Sequence, residues 1–421
     1  MSANARAATL PVVAGCLALS LLLGAATAVP GAALPILRAS HGLAEGAGTE
    51  VVPLYNVGAL AAIVVCGLAR RRPGAGASRL LLAGFALGAA GMALAPTWPV
   101  LLVGALVAGV GFGGLVLVLN TALCRLPGRR PTVMLGLLHA AFGAGAVTGP
   151  LTAGAVDGVT VPLLVVAGGS LLTARSLSRV CGVPSRTGAV RRSPGGESDR
   201  PLLLVLAALA FCYAGMEAGI GALMSTHLEA LGRSTQGAAQ LTALFWGGLT
   251  AGRLVLPVVT RGLPEPAVVV GSLVGAALAL VLTFSAGPAP VGYLCAGLAM
   301  SAVFPLVMAA ADRLSDGAAS GPGALLLVAN LVGSAAVPPL LAFATEPARP
   351  SSFPSALLVL TLLAATAALA AARRVSRLAA ARPAPRTPQK PTEGSFRHDL
   401  STAVDRSDVG ALEDPHPARR D

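Results

Sequence analysis

Runs of about 20 apolar residues, the length of helix that crosses a bilayer, recur along this chain from about residue 10 to about residue 373. The chain has 421 residues, of which 55% are hydrophobic and only 11% are charged. That composition leaves too little polar surface for a soluble core of this size. The sequence therefore predicts an all-α integral membrane protein.

Twelve apolar runs are separated by short polar stretches that predict loops. The first run is too long for the apolar part of a signal peptide and is interpreted as the first span. The predicted spans lie near 10–36, 51–69, 79–96, 99–123, 132–156, 160–175, 201–225, 237–260, 266–286, 290–311, 322–344 and 353–372.

Basic residues cluster in alternate loops, which predicts the orientation. Lys and Arg of short loops stay on the cytoplasmic side. The loops after even-numbered spans carry most of them, for example Arg125, Arg129 and Arg130, whereas the opposite loops hold only Arg38, Arg233 and Arg349. Both termini are therefore expected in the cytoplasm of a multi-pass plasma-membrane protein. The same pattern accounts for the net charge of +12 without a nucleic-acid partner.

A polar stretch rich in Arg, Ser, Gly and Pro divides the spans into six and six. The expected organisation is an N-terminal six-helix bundle over 1–174, a cytoplasmic linker over 175–200 and a C-terminal six-helix bundle over 201–373. The residues from 374 to 421 are too polar to fold alone and are expected to form a disordered cytoplasmic tail.

The second six spans repeat the first six at a shift of 188 to 190 residues. Arg125-Leu126 matches Arg313-Leu314, and Pro150-Leu151 matches Pro339-Leu340. The Gly-Ala-Gly-Ala-Val run from Gly143 matches Gly-Ser-Ala-Ala-Val from Gly333. Two pseudo-symmetric six-helix halves are the simplest explanation. Repeats of this kind place a solute site near the midplane between halves that rock past one another.

Three ionisable residues lie deep in predicted spans, where a charge is costly and usually functional. Glu217, with Tyr213 one turn away on the same face, could exchange a proton or anchor a solute, or could be a neutral acid bonded to a neighbouring helix. His139 could share that proton or donate to a solute, or could be bonded to a backbone carbonyl. For Arg253, near the cytoplasmic end of its span, a gate or an inter-helix ion pair is favoured over ligand binding.

Uncharged residues supply further candidates for the cavity, namely Tyr213, Phe142, Asn120 and Asn330. Hydrogen bonding between helices would explain the two asparagines equally well. Small residues at spacings of four, such as Ala105, Gly109 and Gly113, predict seams where helices approach closely.

The sequence holds no phosphate-binding loop, HExxH or GxSxG motif, so neither an enzyme nor an ATP-driven pump is predicted. The six cysteines are dispersed and have no histidine partner at metal-ligand spacing. No metal or other cofactor is therefore expected. The expected partners are a small solute, a proton as coupling ion and the lipid bilayer, with a monomer as the default state.

Over about residues 10 to 372 the chain resembles the major facilitator superfamily of transporters. LLHAAFGAGAVTGP at 137–150, YAGMEAGIG at 213–221, FWGGLTAGR at 245–253 and Phe304-Pro305 resemble the branch of fucose:proton symporters and related sugar carriers. The resemblance implies the twelve-helix major facilitator fold and proton-coupled transport by alternating access. It also implies a gating role for the arginines after the second span, Arg70, Arg71 and Arg72, although the usual aspartate of that motif is missing.

Two other functions stay open. The Gly149-Pro150 region is also similar to the fifth-span motif of drug:proton antiporters, which would make the protein an exporter of a drug or secondary metabolite. A membrane receptor or scaffold that keeps the carrier fold without turnover is the alternative from another class. An acid such as Glu217 inside the membrane favours a carrier.

Overall fold

The computed structural model describes residues 3–44, 46–68, 73–123, 131–181, 199–314, 322–346 and 349–380. Regular structure in these described residues is helical throughout, with a 3₁₀ turn, Leu282–Phe284, after the eleventh helix. The α-helices are α1 (Ala3–Ala32), α2 (Leu34–His41), α3 (Val51–Leu68), α4 (Ala75–Ala93), α5 (Trp98–Leu123), α6 (Pro131–Ala155), α7 (Thr160–Leu172), α8 (Ala174–Cys181), α9 (Arg200–Ala230), α10 (Thr235–Val259), α11 (Glu265–Val281), α12 (Ala289–Met300), α13 (Val303–Leu314), α14 (Pro322–Ala344) and α15 (Ser352–Ala380).

Each of the twelve predicted spans is helical over most of its length, so the predicted all-α membrane fold is confirmed. Within the described chain, ten segments are long and apolar enough to cross a membrane. The pair α7 and α8, bent by 46°, forms an eleventh, and Val51–Cys66 of α3 is a shorter apolar helix.

Several helical segments extend at least five residues past the predicted C-terminal ends. The segment expected to begin the linker is helical as far as Cys181, because Leu177 and Val180 of α8 are buried against the bundle. Helix α9 continues past the predicted end at 225 to Ala230, and α15 continues past 373 to Ala380. The rest of the linker, 182–198, and the tail from 381 lie outside the described residues.

The tenth predicted span is broken into α12 and α13 at Ser301 and Ala302. Pro305 lies four residues after Ser301 and has no N–H to donate to the Ser301 carbonyl, and its ring crowds the same turn. By contrast, α6 continues through Pro150 and α14 through Pro338 and Pro339.

The helix pairing repeats between the first half (α1 to α8) and the second half (α9 to α15). Helix α1 packs on α6 as α9 packs on α14, and α3 packs on α5 as α10 packs on α12. Between the halves, α6 packs on α10 and α3 packs on α14. The shift of about 189 residues read from the sequence converts each of these contacts into its counterpart.

Glycines allow the helices to approach closely at these contacts. A Cβ atom built at Gly145 of α6 would overlap the carbonyl oxygen of Leu21 in α1. In the second half, a Cβ atom built at Gly333 of α14 would likewise overlap the carbonyl oxygen of Phe211 in α9. Because membrane helices gain stability from close van der Waals packing, these crossings set where each pair meets.

Candidate functional site

Helix α10 packs on α6 across the seam between the halves and on α9 within the second half, and these three helices carry the ionisable residues predicted to lie in the membrane. Helix α9 begins sharply because the Asp199 side chain accepts a hydrogen bond from the Leu202 N–H at 3.1 Å. Helix α10 begins at a similar cap, where the Ser234 hydroxyl accepts from the Gly237 N–H at 3.2 Å. Both helices then run through the bundle side by side.

Arg253 of α10 and Glu217 of α9 form an ion pair. Their Nη2 and Oε1 atoms are 3.8 Å apart, and 27% and 23% of the two side chains are exposed. Tyr213, one turn before Glu217, is buried and lies within electrostatic reach of both charges. Its hydroxyl makes no hydrogen bond in the structure, and its ring stacks on Phe304 at 5.9 Å. Polar groups of opposite sign therefore lie together deep in the second half.

His139 of α6 belongs to the other half. Its Nδ1 atom is 2.8 Å from the Leu135 carbonyl oxygen. This is the contact expected if His139 is bonded to a backbone carbonyl. The side chain is nevertheless exposed, and Arg253 is a charged group that acts on it. Arg253 is thus paired with Glu217 in its own half and is near enough to act electrostatically on His139 in the other half.

An aromatic cluster lies on the first-half side. The Tyr55 and Phe112 rings are 5.2 Å apart, and Phe112 and the predicted cavity residue Phe142 are 6.3 Å apart. Aromatic residues make up only 4% of the chain, so such a cluster is notable. It offers apolar ring faces on the half opposite the stacked pair Tyr213 and Phe304.

The two predicted cavity asparagines, Asn120 of α5 and Asn330 of α14, are only partly buried as residues. The Oδ1 atom of each is buried and has no hydrogen-bond partner in the structure. Buried polar atoms without a partner are uncommon and are often satisfied by water or ligand. The three gating candidates Arg70, Arg71 and Arg72 lie outside the described residues.

Three polar residues at contacts between helices were missed by the sequence analysis. Asn56 of α3 donates from Nδ2 to the Ser334 carbonyl of α14 at 2.8 Å and so joins the two halves. His227 is buried in α9, with Nδ1 2.8 Å from the Tyr293 hydroxyl. Arg38 is buried and was assigned to a loop. Asn56 could have been found as a polar residue in an apolar run, whereas His227 was lost because span seven was ended at residue 225.

The two halves are tightly joined at one end of the bundle. The Ser225 hydroxyl of α9 donates to the Gly31 carbonyl of α1 at 2.7 Å. The Arg38 Nη1 atom donates to the Thr226 hydroxyl at 3.0 Å. Beyond these contacts lies a cavity of about 730 Å³ lined by both halves. We call this end, which carries Arg38 and Thr226, the closed end.

Burial along α1 and α9 indicates that the opposite end is more open. Nearly every residue is buried over 23–38 and over 213–228, toward the closed end. Over 10–22 and 201–212, burial returns only every three or four residues, so one face of each helix is covered there. Glu217 lies close to the point in α9 where burial on all sides changes to burial on one face. Both Glu217 and its partner Arg253 are partly exposed there.

Comparison with known proteins supports the fold. The sequence pattern of the Major Facilitator Superfamily matches residues 16–338. No curated protein matches the chain.

Three similar solved structures are transporters. A bacterial homologue of the human lysosomal transporter Spinster, in an inward-facing and unoccupied conformation, has a TM-score of 0.66 and 16% identity and covers 90% of this chain and 99% of its own. The nucleoside transporter NupG has a TM-score of 0.64 and 11% identity, with coverage of 86% and 99%. The peptide transporter POT in complex with sulfate has a TM-score of 0.67 and 15% identity, with coverage of 86% and 94%. With the family pattern extending over most of its length and the same fold in these transporters, this chain belongs to the Major Facilitator Superfamily.

Proposed function

We propose that the protein is a proton-coupled secondary transporter that moves a small organic solute by alternating access, with Glu217 as the coupling acid. The observation that carries this proposal is the Glu217–Arg253 ion pair, 3.8 Å apart and partly exposed toward the open end. Both a proton and a solute arriving from that end can reach it.

Proton binding at Glu217 would remove the negative charge of the pair. The Arg253 guanidinium would then need other partners in a region of low dielectric, where an unpaired charge is costly. In this proposal, a group of the solute or a group of α6 near His139 becomes the new partner of Arg253. Protonation thereby changes contacts across the seam between α6 and α10, the helices that must separate when the halves rock.

The closed end supports alternating access. The hydrogen bonds of Ser225 and Arg38 join the halves at that end while the other end is open. If the orientation inferred from the arginines holds, with both termini in the cytoplasm of the plasma membrane, this conformation faces inward. We propose that the protein works as a monomer.

The resemblance to fucose:proton symporters points to a sugar-like solute. The ring of Phe142, which is partly exposed, and the unpaired Oδ1 atoms of Asn120 and Asn330 suit a polar ring compound. The similar structures include a nucleoside transporter and a peptide transporter, so the panel of solutes must be broad.

The test is the pH outside lightly buffered proteoliposomes as sugars, nucleosides, peptides and cationic drugs are added in turn. We expect alkalinisation with one polar solute and loss of this signal in Glu217→Gln, with solute exchange partly retained. Glu229→Gln, which neutralises another carboxylate of α9, is the matched control and should behave as wild type. Coupling at Glu217 is rejected if Glu217→Gln keeps the wild-type pH signal.

Proton-driven efflux of a drug or secondary metabolite is the second candidate, favoured by the Gly149-Pro150 region of α6. Acidification of the exterior with drugs alone, under a suitable gradient, would support it. Solute binding without any flux would favour the receptor or scaffold.

A further inference from the structure

A groove of about 780 Å³ lies on the seam between the halves, apart from the ion pair. Helix α10 of the second half forms its floor, and its walls come from α6 of the first half and α12 of the second. The apolar and small residues that define it are Val147, Leu151, Gly237, Leu244, Gly247 and Leu294.

The floor has the length of one bilayer leaflet. Gly237 and Gly247 are ten residues apart, which corresponds to about 15 Å along an α-helix. Half of a hydrocarbon core of about 30 Å is the same length. A single acyl chain lying along α10 would therefore extend from the end of the helix to about the middle of the membrane.

A positively charged side chain lies at the mouth of this groove, on the side of the bundle's closed end. Arg233 is exposed, and its Nη2 atom donates to the Ala286 carbonyl at 2.9 Å, which holds the side chain at the mouth. Deeper in the groove the lining is mainly aliphatic. The carboxylate of Glu229, four residues earlier, lines the other cavity and accepts a hydrogen bond from Thr235. Positive charge at the mouth and an apolar interior complement an anionic headgroup and an acyl chain.

We propose that this groove binds one phospholipid, with its phosphate at Arg233 and an acyl chain along α10. The walls belong to both halves, because α6 carries Val147 and Leu151 while α12 carries Leu294. A lipid in the groove is therefore held only while α6 and α10 keep their present spacing. Its binding favours the conformation in which this end is closed.

The proposal is tested by native mass spectrometry of the purified full-length protein with added phosphatidylglycerol or diacylglycerol. We expect one retained phosphatidylglycerol per chain and at least fivefold less retention of diacylglycerol, which has no phosphate. Arg233→Gln should remove this preference. Arg261→Gln, which neutralises an exposed arginine in the loop before α11, should keep it.

A second variant tests the apolar part of the groove without touching the charge. A Cβ atom at Gly247 would lie 3.9 Å from Val147, in ordinary contact, so the side chain of Gly247→Leu would start without strain on the floor of the groove and occupy space in it. It should reduce phosphatidylglycerol retention severalfold. Gly271→Leu, at an α11 position with open space around it, is the control.

Equal retention of both lipids by the wild type, or unchanged retention in both Arg233→Gln and Gly247→Leu, would overturn the proposal. Displacement of the bound lipid by a transported solute would also overturn it, because the groove would then belong to the transport path. The readout is lipid binding, so its outcome is independent of whether Glu217 couples transport to protons.

Discussion

Arg253 and Glu217 face each other across the contact between α10 and α9 with 3.8 Å between Nη2 and Oε1. At this depth α9 contributes only the negative charge of the pair and α10 only the positive charge. The pairing makes two costly intramembrane charges tolerable, and it also makes each residue depend on the other.

A double-mutant cycle tests that dependence. Arg253→Gln alone leaves Glu217 without its partner and should lower stability by about 1 to 3 kcal/mol, less than for a fully buried pair because a quarter of each side chain is exposed. The variant that carries both Glu217→Gln and Arg253→Gln should unfold at a temperature closer to wild type. Thermal unfolding of the purified protein measures this, and simple additivity of the two changes would show that the pair is energetically uncoupled.

Close packing of α1 on α6 predicts the effect of one added methyl group. Gly145→Ala places a Cβ atom on the Leu21 carbonyl oxygen, so the helices must separate, at a cost of about 1 to 3 kcal/mol. Gly136→Ala, in the same helix but with nothing within 4 Å of the added atom, should be neutral or slightly stabilising. The yield and thermal midpoint of the two variants provide the comparison, and equal midpoints would contradict the crossing.

Loss of one hydrogen bond at the closed end should shift the conformational equilibrium. Ser225→Ala removes the bond to the Gly31 carbonyl, and about 1 kcal/mol corresponds to roughly a fivefold change in the equilibrium. Spin labels at Thr49 and Thr345, which line the closed-end cavity from opposite halves, should report a larger population at long distance. Ser40→Ala, whose hydroxyl bonds within α2, is the control and should leave the distance distribution unchanged.

Asp199 predicts a pH dependence outside the membrane. The backbone N–H of Leu202 and then the Arg374 guanidinium, 2.9 Å from Oδ2, hold the pKa of its carboxyl below the ordinary value. A lowered folded-state pKa means that the stabilisation is present above the ordinary value of about 3.9 and is lost as pH falls through the folded pKa.

The difference in thermal midpoint between wild type and Asp199→Asn should therefore be largest near neutral pH and shrink below about pH 4. Asp157→Asn, in the turn after α6, is the matched control and should differ little from wild type at either pH. A difference for Asp199→Asn that stays constant with pH would exclude the charge as its cause.

The positions of the helices were predictable because a membrane span must be both long and apolar. Their ends were less predictable. Span seven was predicted to end at residue 225, before His227, yet the aromatic ring of Phe353 and the hydroxyl of Tyr293 enclose this histidine and α9 continues. The first span was predicted to end at residue 36, which placed Arg38 in a loop, although contacts with Ala47 and Thr226 bury it.

By itself the sequence determined that the chain lies in a membrane, that its spans are helical and fall into two related sets, and that Glu217, Arg253 and His139 are the ionisable residues to examine. These follow from local composition and from a repeat that is visible residue by residue. The tertiary structure decided that Arg253 pairs with Glu217, that Asn56 joins the halves, and that one end is closed while the other is open. Such features depend on which faces of distant helices meet. That choice is made by packing between segments up to 278 residues apart and leaves no local pattern in the chain.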